Sequence, residues 1–434
     1  MSEGVTSVRA VAGHCIARRP RRWLTGIAGA AALLGFSVLA APAASAAGAG
    51  AATDAASQHA AARPAELAAA HAPGDNFGYS VAVAGKTAVI GAPGVKSASG
   101  AAYIYVRSGR TWRRQAVLAD PRRDAGDEFG YSAAVSGKTA VIGAWASENH
   151  AGAAYIYARS GSTWRRQAAL ADPRGTSNDA FGYSVAVSGT TVMIGSFGAG
   201  TVSVYARSGS AWRLRDTLSG PAGSSTFGAA TALSATTAVI GAWGTNDQAG
   251  AADIYVRSGS TWRRQATLNP TGASPDHFGS SVAVSGNTVV IGAPVGVGTA
   301  SVYVRSGSTW RRRATLGAHA SDPRRRDLRR DRLGVDLPRV GGRGRHFGWS
   351  VAVSGTSSGT RVLAGAPSTG SACGAAYEFV RSGRHWRKRA TVVEPRCSAA
   401  DNVGYSVALA GRLAVIGEPG KNGAAGAVIT LRVP

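Results

Sequence analysis

The segment Phe129-Gly-Tyr-Ser-Ala-Ala-Val-Ser-Gly-Lys-Thr-Ala-Val-Ile-Gly143 returns seven times, with substitutions, along the 434-residue chain. Each copy opens with Phe-Gly, or with Val-Gly in the last, and closes with a phrase like Ile-Gly-Ala-Pro. The opening residues are Phe77, Phe129, Phe181, Phe227, Phe278, Phe347 and Val403. In six of the seven copies the closing glycine follows 14 residues later. Such a fixed spacing predicts a repeat architecture.

Each repeat contains four short segments with the composition of β-strands. In the second repeat they are residues 131–135, 139–142, 154–158 and 163–170, which are rich in Val, Ile, Tyr and Thr. Glycine-containing turns separate the first segment from the second and the third from the fourth. Four antiparallel strands per repeat are typical of a propeller blade. We therefore predict an all-β fold, a seven-bladed β-propeller with four-stranded antiparallel blades.

The seventh repeat contains three such segments, near residues 404–410, 412–418 and 426–433, and lacks a fourth. Residues 62–70, before the first repeat, resemble the end of a fourth strand, although Ala68–Ala70 would also suit a helix. We predict that this N-terminal segment supplies the missing outer strand and closes the ring, because an unpaired strand is an aggregation-prone edge. The propeller is expected to span residues 62–434.

The N-terminus has the pattern of a secretory signal in residues 1–46. Arg18, Arg19, Arg21 and Arg22 precede an apolar stretch from Leu24 to Ala41, and Ala44-Ser45-Ala46 suits cleavage. The alternative is an uncleaved membrane anchor. Residues 47–61 resemble a flexible linker. This pattern predicts a secreted or cell-surface protein without a transmembrane segment in the mature chain.

Two cysteines, Cys373 and Cys397, remain after the signal. An even pair in an exported chain suggests a disulfide. The two residues flank the third and fourth strands of the sixth repeat, whose outer ends meet in an antiparallel sheet. Two free thiols or a metal pair are the alternatives.

The chain is strongly basic, with a formal net charge of +25. Many arginines fall in the fourth strand of each repeat, as in Arg113-Arg114, Arg165-Arg166 and Arg263-Arg264. Because the fourth strand of a blade is outermost, the pattern predicts a basic outer band, either a solvated face or a surface that favours anionic polymers. Residues 317–346 form an irregular Arg-rich insert, interpreted as a contact for phosphate or nucleic acid, a disordered loop or a shifted reading frame.

The repeats resemble the FG-GAP repeat, the blade unit of the integrin α-subunit propeller. The match is closest to the calcium-free bacterial subtype, as in Asp179-Ala-Phe-Gly-Tyr-Ser-Val-Ala186 and Trp164-Arg-Arg-Gln167. The resemblance implies a seven-bladed ring and a role in extracellular recognition or adhesion. Integrin-type blades hold Ca²⁺ in acidic loops between their first two strands. Here those loops contain no acid, even in residues 354–360, so we predict no calcium and no other cofactor.

Candidate ligand-binding residues stand where one repeat differs from the others. Trp145, Phe197 and Trp243 replace the proline of the closing phrase in the second, third and fourth repeats. The loops that follow carry Asn149 and Asn246. Such aromatics beside polar groups suit stacking on sugars or anchoring a protein. The alternative is that they wedge between blades.

Two other recurring residues fit structural roles. An aspartate two residues before the opening position suits loop capping, at Asp75, Asp127, Asp179, Asp276 and Asp401. A fourth-strand tryptophan suits packing between blades, at Trp112, Trp164, Trp212, Trp262, Trp310 and Trp386.

No catalytic set emerges, because the histidines occur singly and at non-equivalent positions of the repeats. We interpret the chain as an exported binding or adhesion module that recognises an extracellular glycan, an anionic polymer or a protein, and not a specific nucleic acid. We expect it to act as a monomer. The alternatives are an extracellular polymer-acting enzyme with a loop-built site and a structural surface protein.

Overall fold

In the part of the chain that the structure describes, hydrogen bonds join 28 strands into seven antiparallel sheets of four strands each, which confirms the predicted seven-bladed β-propeller. The computed structural model describes residues 65–67, 71–221, 224, 226–270, 275–296, 298–318, 346–356, 359–367, 373–383, 385–394, 397–398 and 400–433, and these belong to one compact unit. The predicted signal peptide (1–46), the linker (47–61) and residues 319–345 of the Arg-rich insert lie outside the described residues.

The strands of the first four blades follow the chain order from the axis outward. Blade one consists of β2 (Ser80–Ala84), β3 (Thr87–Ala92), β4 (Ala101–Ser108) and β5 (Thr111–Ala119). Blade two consists of β6 (Ser132–Ser136), β7 (Thr139–Ala144), β8 (Ala153–Ser160) and β9 (Thr163–Ala171). Blade three consists of β10 (Phe181–Ser188), β11 (Thr191–Ser196), β12 (Thr201–Ser208) and β13 (Ala211–Ser219). Blade four consists of β14 (Ala230–Leu233), β15 (Thr237–Ala242), β16 (Ala251–Ser258) and β17 (Thr261–Leu268).

The remaining blades keep the same order. Blade five consists of β18 (Ser281–Ser285), β19 (Thr288–Ala293), β20 (Thr299–Ser306) and β21 (Thr309–Leu316). Blade six consists of β22 (Ser350–Thr356), β23 (Gly359–Ala366), β24 (Ala375–Ser382) and β25 (His385–Val392). Blade seven contains β26 (Ser406–Ala410), β27 (Leu413–Glu418) and β28 (Ala427–Arg432). Among the described residues, three four-residue segments connect second to third strands, α1 (Val95–Ala98), α2 (Ser147–His150) and α3 (Lys421–Ala424), and their two central residues have left-handed backbone angles.

The N-terminal strand β1 (Ala65–Leu67) completes blade seven and closes the ring. It pairs antiparallel with β28, with Ala65 opposite Thr430 and Leu67 opposite Val428. The sheet order is β26, β27, β28 and β1. The predicted closure by residues 62–70 is therefore confirmed for the three residues that form the strand, and Ala68–Ala70 lie outside the described residues.

The first strands of successive blades contact one another around the whole ring, so they line the central axis. First and second strands are buried on both faces, as in β3, where every residue is buried. The fourth strands form the outer rim, and five of the nine residues of β5 are exposed. No helix among the described residues is long and apolar enough to cross a membrane.

A hydrogen bond between neighbouring blades explains why the repeated phrase contains both its glycines and its serine. Ser80 Oγ donates to the carbonyl oxygen of Gly130 at 2.8 Å, which joins blade one to the opening Phe-Gly of blade two. A Cβ on the closing Gly91 would overlap the same carbonyl oxygen. Equivalent serines bond equivalent glycines at five other interfaces, namely Ser132 to Gly182, Ser184 to Gly228, Ser281 to Gly348, Ser350 to Gly404 and Ser406 to Gly78.

The recurring tryptophans lie between blades, as predicted. Trp164 Nε1 of blade two donates to Gln115 Oε1 of blade one at 3.0 Å, and Trp310 donates to Gln265 in the same way at 2.9 Å. The strand register shifts at Gln115, between the pairs Ile104–Ala116 and Tyr105–Arg114. Because a bulge redirects a side chain, it turns this glutamine toward the next blade.

A disulfide joins Cys373, which precedes the third strand of blade six, to Cys397, which follows its fourth strand. Their Cα atoms are 5.7 Å apart. The predicted pairing is present, and the alternatives of free thiols or a metal pair do not apply.

Candidate functional site

The three candidate aromatics end up on one face of the ring. Trp145, Phe197 and Trp243 each follow the last residue of the second strand in their blade. In an antiparallel blade that end lies beside the start of the first strand, so these residues share a face with the Phe-Gly openings. All three are half-buried and pack against one hydrophobic cluster that spans several blades. They are therefore neither free surface residues nor fully buried wedges.

Tyr183 connects the three aromatics into a continuous row. Its ring centroid lies 6.0 Å from that of Trp145 and 4.7 Å from that of Phe197, on which it stacks. Phe197 in turn stacks on Trp243, with centroids 6.3 Å apart and planes only 15° apart. Residues from blades two, three and four thus form one contiguous aromatic cluster, which the sequence did not predict as a unit.

Four further aromatics extend this row around the axis. Together with Tyr183, they are the residues directly after the opening Phe-Gly or Val-Gly: Tyr79, Tyr131, Tyr183, Trp349 and Tyr405. Neighbouring rings are in contact, with centroid distances of 5.7 Å from Trp349 to Tyr405, 4.9 Å from Tyr405 to Tyr79 and 5.1 Å from Tyr79 to Tyr131. We call these five residues, together with Trp145, Phe197 and Trp243, the aromatic crown.

Blades four and five carry small residues, Ala229 and Ser280, after their Phe-Gly. In blade four, where Ala229 takes the place of an aromatic residue, Phe197 and Trp243 continue the row instead. His277 of blade five continues the row, with its ring centroid 4.7 Å from that of Trp243. Burial lowers the pKa of His277, so the imidazole is neutral near pH 7. The crown is thus a cluster of uncharged aromatic side chains with an imidazole at its edge, in which Tyr131 and Tyr183 are buried and the other six residues are half-buried.

Hydrogen-bonding capacity differs between the two tryptophans. Trp145 Nε1 donates to Glu128 Oε2 at 2.7 Å, which fixes the orientation of its indole. Trp243 Nε1 is buried and has no hydrogen-bond partner among the described residues. A buried donor without a partner costs free energy, so this indole is suited to receive an acceptor from a ligand or a water.

Asn149 and Asn246 are exposed in loops that run beside the crown. Each lies in a run of three left-handed residues, Glu148 to His150 and Asn246 to Gln248. Asparagine tolerates this conformation better than most residues, which gives both positions a conformational role. They follow Trp145 and Trp243 in the same loops, and their part in ligand binding stays a prediction.

The recurring aspartates hold their own loops, as the sequence predicted for Asp75 and Asp401. Asp75 Oδ2 accepts from the amide of Ala72, and Asp401 Oδ2 accepts from the amide of Ser398, both at 2.9 Å. Asp127 is buried beside Asp120, and burial raises its pKa to about 6. Among the residues that the structure describes, no three His, Cys, Asp or Glu side chains are grouped to hold a metal ion.

Fold and repeat chemistry together define the class: a β-propeller whose seven blades are joined through Phe-Gly openings. The FG-GAP repeat family matches residues 67–105, 112–157, 164–212 and 262–308. These segments are FG-GAP repeats, and the seven-bladed architecture is consistent with an integrin α-like propeller. No curated protein sequence matches the chain.

Solved structures with a similar fold share little sequence. A protein from Lactobacillus plantarum is 12% identical with a TM-score of 0.50, and the match covers 78% of this chain and 90% of that one. A periplasmic gluconolactonase from Pseudomonas aeruginosa is 14% identical with a TM-score of 0.44, covering 72% and 83%. A protein described as a 6-phosphogluconolactonase from Bacteroides uniformis is 10% identical with a TM-score of 0.45, covering 71% and 82%. At these identities the likeness concerns the fold alone.

Proposed function

We propose that the chain is an exported binding module whose aromatic crown recognises an extracellular glycan, an anionic polymer or a protein partner. The observation that carries this proposal is the continuous row from Trp145 through Tyr183 and Phe197 to Trp243. Trp145, Phe197 and Trp243 are half-buried and pack against the cluster that contains the buried Tyr183. Aromatic rings held by their neighbours in this way offer a rigid platform that loses little side-chain entropy when a ligand stacks on it.

Export is supported by two features. The N-terminal 46 residues have the pattern of a secretory signal. The Cys373–Cys397 disulfide fits an oxidising compartment.

Within this class we favour a glycan at the crown. Sugars present C–H faces that stack on aromatic rings and hydroxyls that accept hydrogen bonds. The indole N–H of Trp243 lacks an acceptor among the described residues, and the loops that follow Trp145 and Trp243 carry the exposed amides of Asn149 and Asn246.

The test is a binding screen of the exported chain against glycans and extracellular proteins. Trp145→Ala and Trp243→Ala are expected to lower the affinity of any crown ligand by tenfold or more, on the order of 1.4 kcal/mol each. Trp145→Phe and Trp243→Phe keep an aromatic platform and serve as matched controls. Full binding by both alanine variants, at an unchanged melting temperature, would contradict the proposal.

A further inference from the structure

A cavity at the outer edge of the ring lies away from the crown. It has a volume of about 160 Å³ and opens between the end of blade one and the outer strands of blade two. Arg122 and Arg166 flank it, and Ala169 and Ala171 line it beside Tyr155. Because drug-sized pockets are larger, from roughly 300 Å³ upward, this cavity suits a single small ring.

Charge and polarity divide the cavity into two parts. The guanidinium groups are accessible, since Arg166 is exposed on β9 and Arg122 keeps about two fifths of its side chain exposed in an ion pair with Glu148. Tyr155 is buried, and its hydroxyl has no hydrogen-bond partner among the described residues. The alanines between them add an apolar surface. A ligand with one apolar face and one anionic group matches this arrangement.

The aspartate two residues before Arg122 does not cancel this positive charge. Asp120 is buried and accepts hydrogen bonds from the backbone amides of Arg122 and Arg123, the latter at 2.6 Å. Its carboxylate is therefore compensated within its own turn. The guanidinium of Arg122 points to Glu148 instead, and that exposed pair is weak enough to share with a ligand.

The cavity opens onto a larger positive surface. We call the exposed basic residues of the fourth strands the basic rim: Arg113, Arg114, Arg165, Arg166, Arg213, Arg215, Arg263, Arg264, Arg311, Arg312, Arg313, Arg387, Lys388 and Arg389. These residues occupy six blades. In blade seven the outer strand β1 is three residues long and carries Glu66. The rim is therefore an open arc, which suits a linear polyanion.

We propose that the basic rim binds an anionic polysaccharide and that the cavity holds one of its sugar rings, with a carboxylate or sulfate between Arg122 and Arg166. The proposal shares the binding role proposed above but uses a different surface. A nucleic acid fits less well, because single-stranded bases need aromatic rings to stack on. The rim tryptophans instead turn their indoles to the neighbouring blade, as Trp164 does to Gln115.

The repeats supply matched variants for the test. Arg165→Ser with Arg166→Ser removes the pair at the cavity, and Arg311→Ser with Arg312→Ser removes the corresponding pair of blade five. Ala169→Phe fills the cavity without changing the charge, and its control is Thr315→Phe at the corresponding exposed position of blade five. Binding is measured against heparin, alginate and a single-stranded DNA oligonucleotide, so that sulfate, carboxylate and nucleic-acid sources are separated.

Heparin or alginate is expected to bind the wild type with an affinity that falls as salt rises. The blade-two arginine pair and Ala169→Phe are each expected to weaken binding about tenfold, and the blade-five variants only about twofold. Trp145→Ala and Trp243→Ala should leave this binding unchanged, which separates it from the crown. Equal losses in both blades, preference for DNA, or no polysaccharide binding would each overturn the proposal.

Discussion

Ser406 Oγ donates a 2.7 Å hydrogen bond to the carbonyl oxygen of Gly78, and this bond joins the last repeat to the first. Ser406 is fully buried. Its removal by Ser406→Ala should cost about 1 kcal/mol of unfolding free energy, because a buried acceptor loses its donor. Denaturant unfolding followed by circular dichroism measures the change.

The interface between blades four and five naturally lacks this hydrogen bond, because Ala230 occupies the serine position opposite Gly279. Ala230→Ser is expected to restore the bond and to raise the unfolding free energy by up to about 1 kcal/mol. If Ser406→Ala leaves stability unchanged, this bond does not hold the ring together.

Lys421 connects three parts of the ring closure. Its Nζ lies 3.1 Å from Glu66 on the N-terminal strand, 3.7 Å from Glu394 after blade six and 3.6 Å from Glu418 at the end of β27. Lys421→Met removes the shared cation and should destabilise the protein by about 3 kcal/mol, since the buried carboxyl group of Glu418 loses its neighbouring positive charge. Differential scanning calorimetry measures the loss.

The control for this substitution is Lys96→Met, in the corresponding loop of blade one, where the lysine is exposed. Its effect should stay within about 0.5 kcal/mol. Similar effects of the two substitutions would refute a specific role of Lys421 in closure.

Glu418 makes the stability of this closure depend on pH. Its side chain is fully buried, and burial raises its pKa to about 7, against the opposing charge of Lys421 and with support from Glu394, Glu66 and Asp401. Because the folded pKa exceeds the unfolded value of 4.5, the folded state binds the proton more tightly. The stabilisation that comes from this tighter proton binding is complete below pH 4.5, and it is lost as the pH rises to about 7 and Glu418 ionises.

Glu418→Gln removes this titration. The wild type should therefore lose about 2 to 3 kcal/mol relative to the variant between pH 4.5 and pH 8. Melting temperatures of both proteins across this range measure the difference, in which the titration of Asp127 cancels. A difference that stays constant with pH, or that changes in the other direction, would be inconsistent with a buried proton on Glu418.

The Cys373–Cys397 bond closes a segment with a sequence separation of 24. Replacement of both cysteines by serine should lower stability by about 3 kcal/mol, mainly because the unfolded chain gains freedom. Reduction of the wild type with dithiothreitol should have the same effect, and reductant should not affect the double variant. A melting temperature insensitive to both treatments would show that the bond contributes nothing to stability.

The sequence predicted the ring because its repeated residues make the contacts between blades. The carbonyl oxygen of the opening Gly130 accepts a hydrogen bond from Ser80 and lies so close to the closing Gly91 that a Cβ there would overlap it. The same contact recurs at the other interfaces of this kind, so the glycines recur in the sequence. The closure of the ring by the N-terminal strand was also predictable, because a blade with three strands leaves an unpaired edge.

The crown could be predicted only in part. Trp145, Phe197 and Trp243 were recognisable because they depart from the proline of the phrase. Tyr79 and Tyr405 were not, because an aromatic residue after Phe-Gly recurs in five of the seven repeats and resembles an ordinary strand residue. Their contact at 4.9 Å joins residues of the first and last repeats, which only ring closure brings together.

The central claim is that the aromatic crown is the ligand-binding surface of this propeller. Isothermal titration of the best glycan or protein ligand into the wild type and into a Trp145→Ala, Trp243→Ala double variant tests it most directly. We predict a loss of about 100-fold or more in affinity at a nearly unchanged melting temperature. Equal affinities of the two proteins would place the site elsewhere and contradict the account.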